Sequence, residues 1–184
     1  IGHEYAGDVF QVGSNVDEFK VGDRVTGSYA ATCGACKYCT IGKVQLCENR
    51  ILFGLNFDGA FTQFMRIPRA NRTIVKIPDD VDFKTAALVP DMFLTGLYAV
   101  ERGDIRPGST VLVSGLGAVG LSALIAARVA GASKLIGVDV RDKPLKLAQE
   151  FGADFVIDAR EEKNVPERVR GITGEFGVDV ALEA

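Results

Sequence analysis

The sequence predicts an α/β plus irregular β protein, in which a mostly β first half is followed by part of a doubly wound parallel sheet. Three observations carry this. The chain changes character near residue 90, with short β-like runs and glycine turns before it and strand–helix alternation after it. All four cysteines fall between Cys33 and Cys47. A glycine run, Gly115 to Gly120, separates a short apolar strand from an apolar helix. The boundary between the two domains is placed between residues 91 and 92, giving 1–91 and 92–184.

In the first half, Tyr5–Val12, Arg24–Tyr29 and Phe61–Ile67 have the composition of strands, and Gly22-Asp23 and Asp58-Gly59 are turn signals. In the second half, Phe93–Arg102 is expected to be a helix, closed by the Arg106-Pro107-Gly108 loop. Thr110–Ser114 is a compact apolar strand, and Leu121, Leu124, Ile125 and Val129 recur at helical spacing. Strands are expected over Leu135–Val138, Phe155–Ile157 and Val178–Leu182, with helices over Pro144–Phe151 and Pro166–Ile172, the latter with Pro166 in its first turn. Such alternation marks a parallel sheet covered on both faces.

Of the 184 residues 47% are hydrophobic, enough for a core, and 21 basic against 24 acidic residues give a net charge of −3. No basic block stands out, so no nucleic-acid partner is expected. The apolar stretch Val111–Ala132 is interrupted by four glycines, two serines and Arg128, unlike a bilayer span, so no membrane partner is expected. The opening Ile1-Gly2-His3-Glu4-Tyr5 has neither the basic start nor the apolar run of a secretory signal. A cytoplasmic protein is expected, and the Asn71-Arg72-Thr73 sequon is read as chance.

Cys33, Cys36, Cys39 and Cys47 have the spacing Cys-x2-Cys-x2-Cys-x7-Cys. Tight turns at Gly34 and Gly42 let successive thiolates point at one ion about 2.3 Å away. Four cysteine ligands leave no place for water, so such a zinc site is closed and structural. Free thiols, a redox pair or disulfides are the alternatives. Zinc is preferred because all four cysteines belong to one short segment, whereas a redox motif needs only two at a strand–helix junction.

Gly115-Leu116-Gly117-Ala118-Val119-Gly120 follows a strand and opens a helix, the context of a dinucleotide fingerprint in a Rossmann sheet. The first glycine permits the turn, the second lets the backbone approach a pyrophosphate, and the third lets helix and strand pack closely. The phosphates then face the helix N-terminus. Asp139, 19 residues past Gly120, stands where an acid accepts hydrogen bonds from ribose hydroxyls, which favours NAD. Arg141 keeps NADP as the alternative, since a nearby arginine accepts a 2′-phosphate.

Gly2-His3-Glu4-Tyr5-Ala6-Gly7, Val21-Gly22-Asp23-Arg24-Val25, the four cysteines, Asp58-Gly59-Ala60-Phe61 and Gly115 to Gly120 resemble, in this order, the zinc-dependent medium-chain alcohol dehydrogenase family. The resemblance covers essentially the whole chain. It implies a partial GroES-like catalytic domain over 1–91 and the first part of an NAD-binding Rossmann domain over 92–184, hence a piece lacking both termini and inactive alone. It implies a catalytic zinc besides the structural one, held by a cysteine upstream of Ile1, by His3, and by Asp91 of Pro90-Asp91-Met92-Phe93-Leu94-Thr95-Gly96. Glu4 matches an acidic neighbour that approaches the metal in some relatives, either as a ligand or beside one. Asp91 also suits the N-cap of the helix expected at Phe93, and the two roles are compatible. By resemblance, Thr95 and Val119 lie near the nicotinamide. Phe57, Phe93 and Leu94 are candidate wall residues of the pocket.

The resemblance therefore implies hydride transfer between a small-molecule alcohol or polyol and NAD, giving an aldehyde or ketone, in a homo-oligomer (dimer or tetramer). Two alternatives stand beside it. One is a zinc-free quinone or enoyl reductase of the same superfamily, which usually lacks both the cysteine cluster and the Gly-His-Glu ligand. The other is a non-catalytic NAD-binding protein, which has no need of His3 or Asp91. The motifs leave open whether the alcohol is a simple alcohol, a polyol, an amino alcohol such as threonine or a formaldehyde adduct.

Overall fold

The computed structural model describes residues 1–184. The chain divides into two compact units, Ile1–Asp91 and Met92–Ala184.

In the first unit, β1 (Ala6–Asp8), β2 (Arg24–Gly27) and β5 (Ile74–Lys76) form an antiparallel sheet with β2 in the centre. The register pairs Ala6 with Thr26 and Thr26 with Val75. Two two-residue strands, β3 (Ala30–Ala31) and β4 (Ile51–Leu52), pair separately. Short helices α1 (Lys37–Thr40), α2 (Ala70–Thr73) and α3 (Phe83–Leu88) complete the unit, with a 3₁₀ turn at Val44–Leu46. Phe19, Val25 and Ile74 form a small core with Tyr5, Val9, Val16 and Ile67 around them. Buried Thr26 stays satisfied because its hydroxyl lies 2.8 Å from the Tyr5 carbonyl and 3.1 Å from that of Ala86. Arg24 ties the sheet to the following loop by donating to the carbonyls of Pro78, Asp79 and Val81 while stacking over Phe83.

Three expectations are corrected in this unit. The Tyr5–Val12 run yields a strand only at Ala6–Asp8, after which exposed Phe10 and Val12 leave the sheet. Phe61–Ile67 forms no strand. Its polar groups are met locally, Thr62 N donating to Ala60 O and its hydroxyl to Phe64 O, and Phe61 and Phe64 stay exposed. Helix also begins well before Phe93. Asp82 caps α3 by accepting from Thr85 N at 2.9 Å, and a π-helical turn follows over Val89–Phe93. Pro90 has no N–H for an ordinary helical bond, and the wider turn accommodates it. Asp91 thus lies inside a helical turn and is not a helix cap.

The second unit opens with α4 (Leu94–Arg102) and is built on a four-stranded parallel sheet. Its strands are β6 (Thr110–Ser114), β7 (Lys134–Asp139), β8 (Phe155–Asp158) and β9 (Val180–Glu183), in the order β8-β7-β6-β9. The crossovers carry α5 (Ala118–Val129), α6 (Asp142–Glu150) and α7 (Val165–Thr173). Strand pleating sends alternate residues to opposite faces. Val111, Val113 and Leu135 join Leu124 and Ala148 on one face, while Ile136, Val138 and Ile157 join Val169 on the other. The strand order reverses at β6, where the chain first builds outward to β8 and then returns to lay β9 on the other side. In open parallel sheets the crevice at the carboxyl ends of such strands is where ligands bind.

Candidate functional site

Within the first unit the four cysteine sulfurs gather so that all lie within 4.8 Å of one another. Cys33 Sγ stands 3.9 Å from Cys39 Sγ and 3.5 Å from Cys47 Sγ. A tetrahedron with Zn–S bonds of about 2.3 Å has edges of about 3.8 Å, so the set fits zinc with little movement. The backbone assists: the Cys36 N–H donates to Cys33 Sγ and the Cys33 N–H to Cys47 Sγ, each at 3.3 Å. N–H groups of Ala35 and Cys36 pull the Cys33 thiol down to about 6, whereas burial pushes Cys39 up to about 11. A bound cation would resolve that contrast by favouring thiolate at every position.

His3 and Asp91, 88 residues apart, meet at 3.0 Å between Nε2 and Oδ2. This is near the edge of about 3.3 Å expected for two ligands on zinc at about 2.0 Å, so the pair fits a metal between them. The imidazole is 43% exposed and stands edge-on to Tyr29, leaving the pair within reach of a small molecule. Glu4 does not join them. The cysteines are the one close cluster of three or more such ligand groups, and Glu4 Oε1 is buried without a hydrogen-bond partner.

In the second unit each glycine of the fingerprint has a distinct environment. Gly115 adopts φ +83°, a conformation L side chains rarely hold. A Cβ on Gly117 would meet open space, so backbone can be approached there. A Cβ on Gly120 would lie 1.8 Å from the Gly115 carbonyl oxygen, so only glycine lets α5 start this close to the loop. Gly117 precedes α5, whose first N–H groups lack intrahelical partners. The loop thus fits a pyrophosphate. Ala118 and Thr95 are exposed and Val119 is half-buried. The Leu116 side chain is 0% exposed, and its N–H donates to Asp139 Oδ2 at 2.8 Å, tying the loop to the end of β7.

Asp139, at the end of β7, is the one buried carboxylate. The bidentate Arg141 guanidinium holds it well below the usual carboxylate range, helped by the N–H groups of Leu116, Val140 and Arg141. On the neighbouring strand, register partner Asp158 pairs in the same way with Arg160, which also reaches Asp142. The glycine fingerprint and its ribose acid do not single out Asp158 and Arg160. The signal for them is a second Asp-x-Arg at a strand end, Asp158-Ala159-Arg160 after Asp139-Val140-Arg141.

Comparison with known proteins agrees with these features. Residues 1–79 match the alcohol dehydrogenase GroES-like domain, and residues 118–184 match the zinc-binding dehydrogenase domain. The chain is 40% identical over 184 residues to sorbitol dehydrogenase from Bacillus subtilis, covering all of this chain and 51% of that protein. It superposes on alcohol dehydrogenase TADH from Thermus sp. ATN1 with a TM-score of 0.94 and 35% identity, over 100% of this chain and 54% of that one. It also superposes on a short chain alcohol dehydrogenase from E. coli CFT073 complexed with the cofactor NADH, with a TM-score of 0.88 and 30% identity over 100% and 53%. The chain therefore spans about half the length of the relatives it matches. The two family matches in order, the gathered cysteines and the glycine cradle agree on one assignment: the chain belongs to the zinc-dependent medium-chain alcohol dehydrogenase family.

Proposed function

We propose that the protein is a zinc-dependent oxidoreductase that transfers a hydride between an alcohol or polyol and NAD, giving an aldehyde or ketone. The observation that carries this is the meeting of His3 Nε2 and Asp91 Oδ2 at 3.0 Å, apart from the four-cysteine cluster. The cysteines form the closed, structural site, and His3 and Asp91 contribute to the open, catalytic one. Bound there, zinc would supply a Lewis acid that lowers the pKa of the substrate hydroxyl, and NAD would supply the hydride acceptor. This chain's own residues bind and orient. His3 presents an imidazole nitrogen and Asp91 a carboxylate oxygen, and Tyr29 flanks the ring edge-on. Glu4 follows His3 in the chain as a half-buried acid whose Oε1 is buried without a hydrogen-bond partner, suited to adjusting the charge around the pair.

Gly115, Gly117 and Gly120 shape the loop that receives the pyrophosphate, with the N–H groups opening α5 directed at it. Ala118 and Val119 open that helix, and Thr95 presents a hydroxyl from α4 toward the nicotinamide. Polyols are the favoured substrates, supported by the 40% identity to sorbitol dehydrogenase. A cytoplasmic location is supported by four free cysteines, which suit a reducing compartment. No helix is long and apolar enough to cross a membrane. A dimer or tetramer belongs to the same reading. The test is appearance of NADH when the full-length protein meets a panel of polyols and simple alcohols. The His3→Ala variant should lose at least about a thousandfold in kcat/KM while retaining NADH binding. Unchanged turnover in that variant would remove the catalytic role.

A further inference from the structure

From the contacts around α2 we infer that Arg69 is a positioning residue for the four-cysteine metal site: it ties the two ends of the cysteine loop together and holds the loop ready before metal arrives. This rests on the reading of Cys33, Cys36, Cys39 and Cys47 as a zinc site. Arg69 Nη1 donates to the Ala31 carbonyl at 3.3 Å and to the Asn49 carbonyl at 2.8 Å. Ala31 stands two residues before Cys33, and Asn49 two residues after Cys47. One nitrogen, 38 and 20 residues further along the chain, thus bridges both ends of the loop. Arg72, from the same helix, lies across Gly34 in the loop's first turn, where a Cβ would come to 2.7 Å from its guanidinium carbon.

Backbone pairing at the base of the loop is short. β3 and β4 contribute two residues each, and their ladder stops at Ala31–Ile51. A two-stranded pairing of that length is marginal in water. Arg69 continues the closure on the cysteine side of the ladder, where the ladder itself has ended. It does so from a platform that is fixed independently of the loop. Thr73 is buried, its hydroxyl donates to the carbonyls of Pro68 and Arg69, and its carbonyl accepts from Ser28 N at 3.1 Å. Ile74 then enters β5 and the core of the unit. Arg69 itself holds φ +56°, uncommon for an L side chain, and such a conformation persists where the surroundings impose it. Four thiolates repel one another until an ion joins them, and a loop that must be ordered at that moment binds the ion less tightly. A bridge already in place removes part of that cost.

The test uses the full-length protein, freed of metal and titrated with Co(II), whose thiolate charge-transfer and ligand-field bands report a four-sulfur tetrahedral site. Displacement by zinc then gives the relative affinity. Arg69→Gly removes the guanidinium and eases the backbone at φ +56°, so its melting temperature should hold. Its metal affinity at the cysteines should nonetheless fall about fivefold, and the amides of residues 33–47 in the metal-free protein should exchange hydrogen about fivefold faster. Arg69→Lys, whose one ammonium nitrogen can also donate to both carbonyls, should recover both to within about twofold. Arg66→Ala, which removes an exposed arginine paired with Asp58, should leave both unchanged. Equal affinity and equal exchange in Arg69→Gly, with the four-sulfur bands intact, would overturn the positioning role. No recovery in Arg69→Lys would assign the loss to the backbone and overturn it as well, as would an effect of the same size in Arg66→Ala. If the unchanged protein shows no four-sulfur bands, the zinc reading of the cysteines falls, and the role of Arg69 with it.

Discussion

Asp139 shows how one residue can be required by the fold before it is required by a ligand. Its carboxylate ties the glycine loop, through Leu116 N, to the end of β7, and Arg141 neutralises it there. Its folded pKa is depressed relative to an unfolded value of about 3.9. The stabilisation is therefore complete above that value and is lost as pH falls toward the folded pKa. Asp139→Asn should lose about 2 kcal/mol at pH 7, because the amide turns a donor toward groups that are all donors. Its urea stability should then fall less steeply than that of the unchanged protein between about pH 5 and pH 2. Equal slopes on the acid side would show that Asp139 is not linked to folding. The position was legible in sequence from its distance past Gly120. Its five donors were not, because Leu116 N–H belongs to another strand's loop and only the folded register brings it within reach.

Two elements decide how the candidate sites are aimed, the glycine loop and the π turn. In the loop, Gly117→Ala should fold normally, since a Cβ meets nothing, yet weaken NADH binding about tenfold by filling the approach to the pyrophosphate. Gly120→Ala should instead destabilise the unit by about 3 kcal/mol or more, because its Cβ would lie 1.8 Å from the Gly115 carbonyl oxygen. Thermal melts beside fluorescence titration separate the two effects, and a shared phenotype would refute the division of roles. In the π turn, Pro90 precludes an ordinary helical bond, and Asp91 is consequently turned to His3. Pro90→Ala should keep or raise thermal stability while weakening metal at His3–Asp91 at least about tenfold in chelator competition. Periodicity gave the strands and helices of the second unit to within a few residues because their apolar faces repeat regularly. It missed α3 and the π turn, where six residues and a proline carry too little pattern, and it misread Phe61–Ile67, where aromatic residues stay exposed in a bend.

Across the whole molecule, each unit has its own core and its own candidate chemistry. The first holds the cysteine cluster and the His3–Asp91 pair, and the second holds the nucleotide cradle. The motifs for the cysteine cluster and the nucleotide cradle stand in the sequence as residue types at fixed spacing. The 88-residue span between His3 and Asp91 was reached only through family resemblance, because no spacing rule links positions so far apart. Glu4 entered by the same route, and its side chain remains apart from the pair. Since the four sulfurs gather within one loop, stripping metal with a strong chelator should lower the melting temperature of the first unit by about 10 °C or more and leave NADH binding intact. The most direct measurement is zinc per subunit, by elemental mass spectrometry, in the full-length protein and in Asp91→Ala. Two zinc ions falling to about one, with NAD-dependent alcohol oxidation lost and NADH binding kept, is the expected result. One zinc in both proteins would leave metal at the cysteine site alone and contradict the assignment of His3 and Asp91 to a catalytic centre.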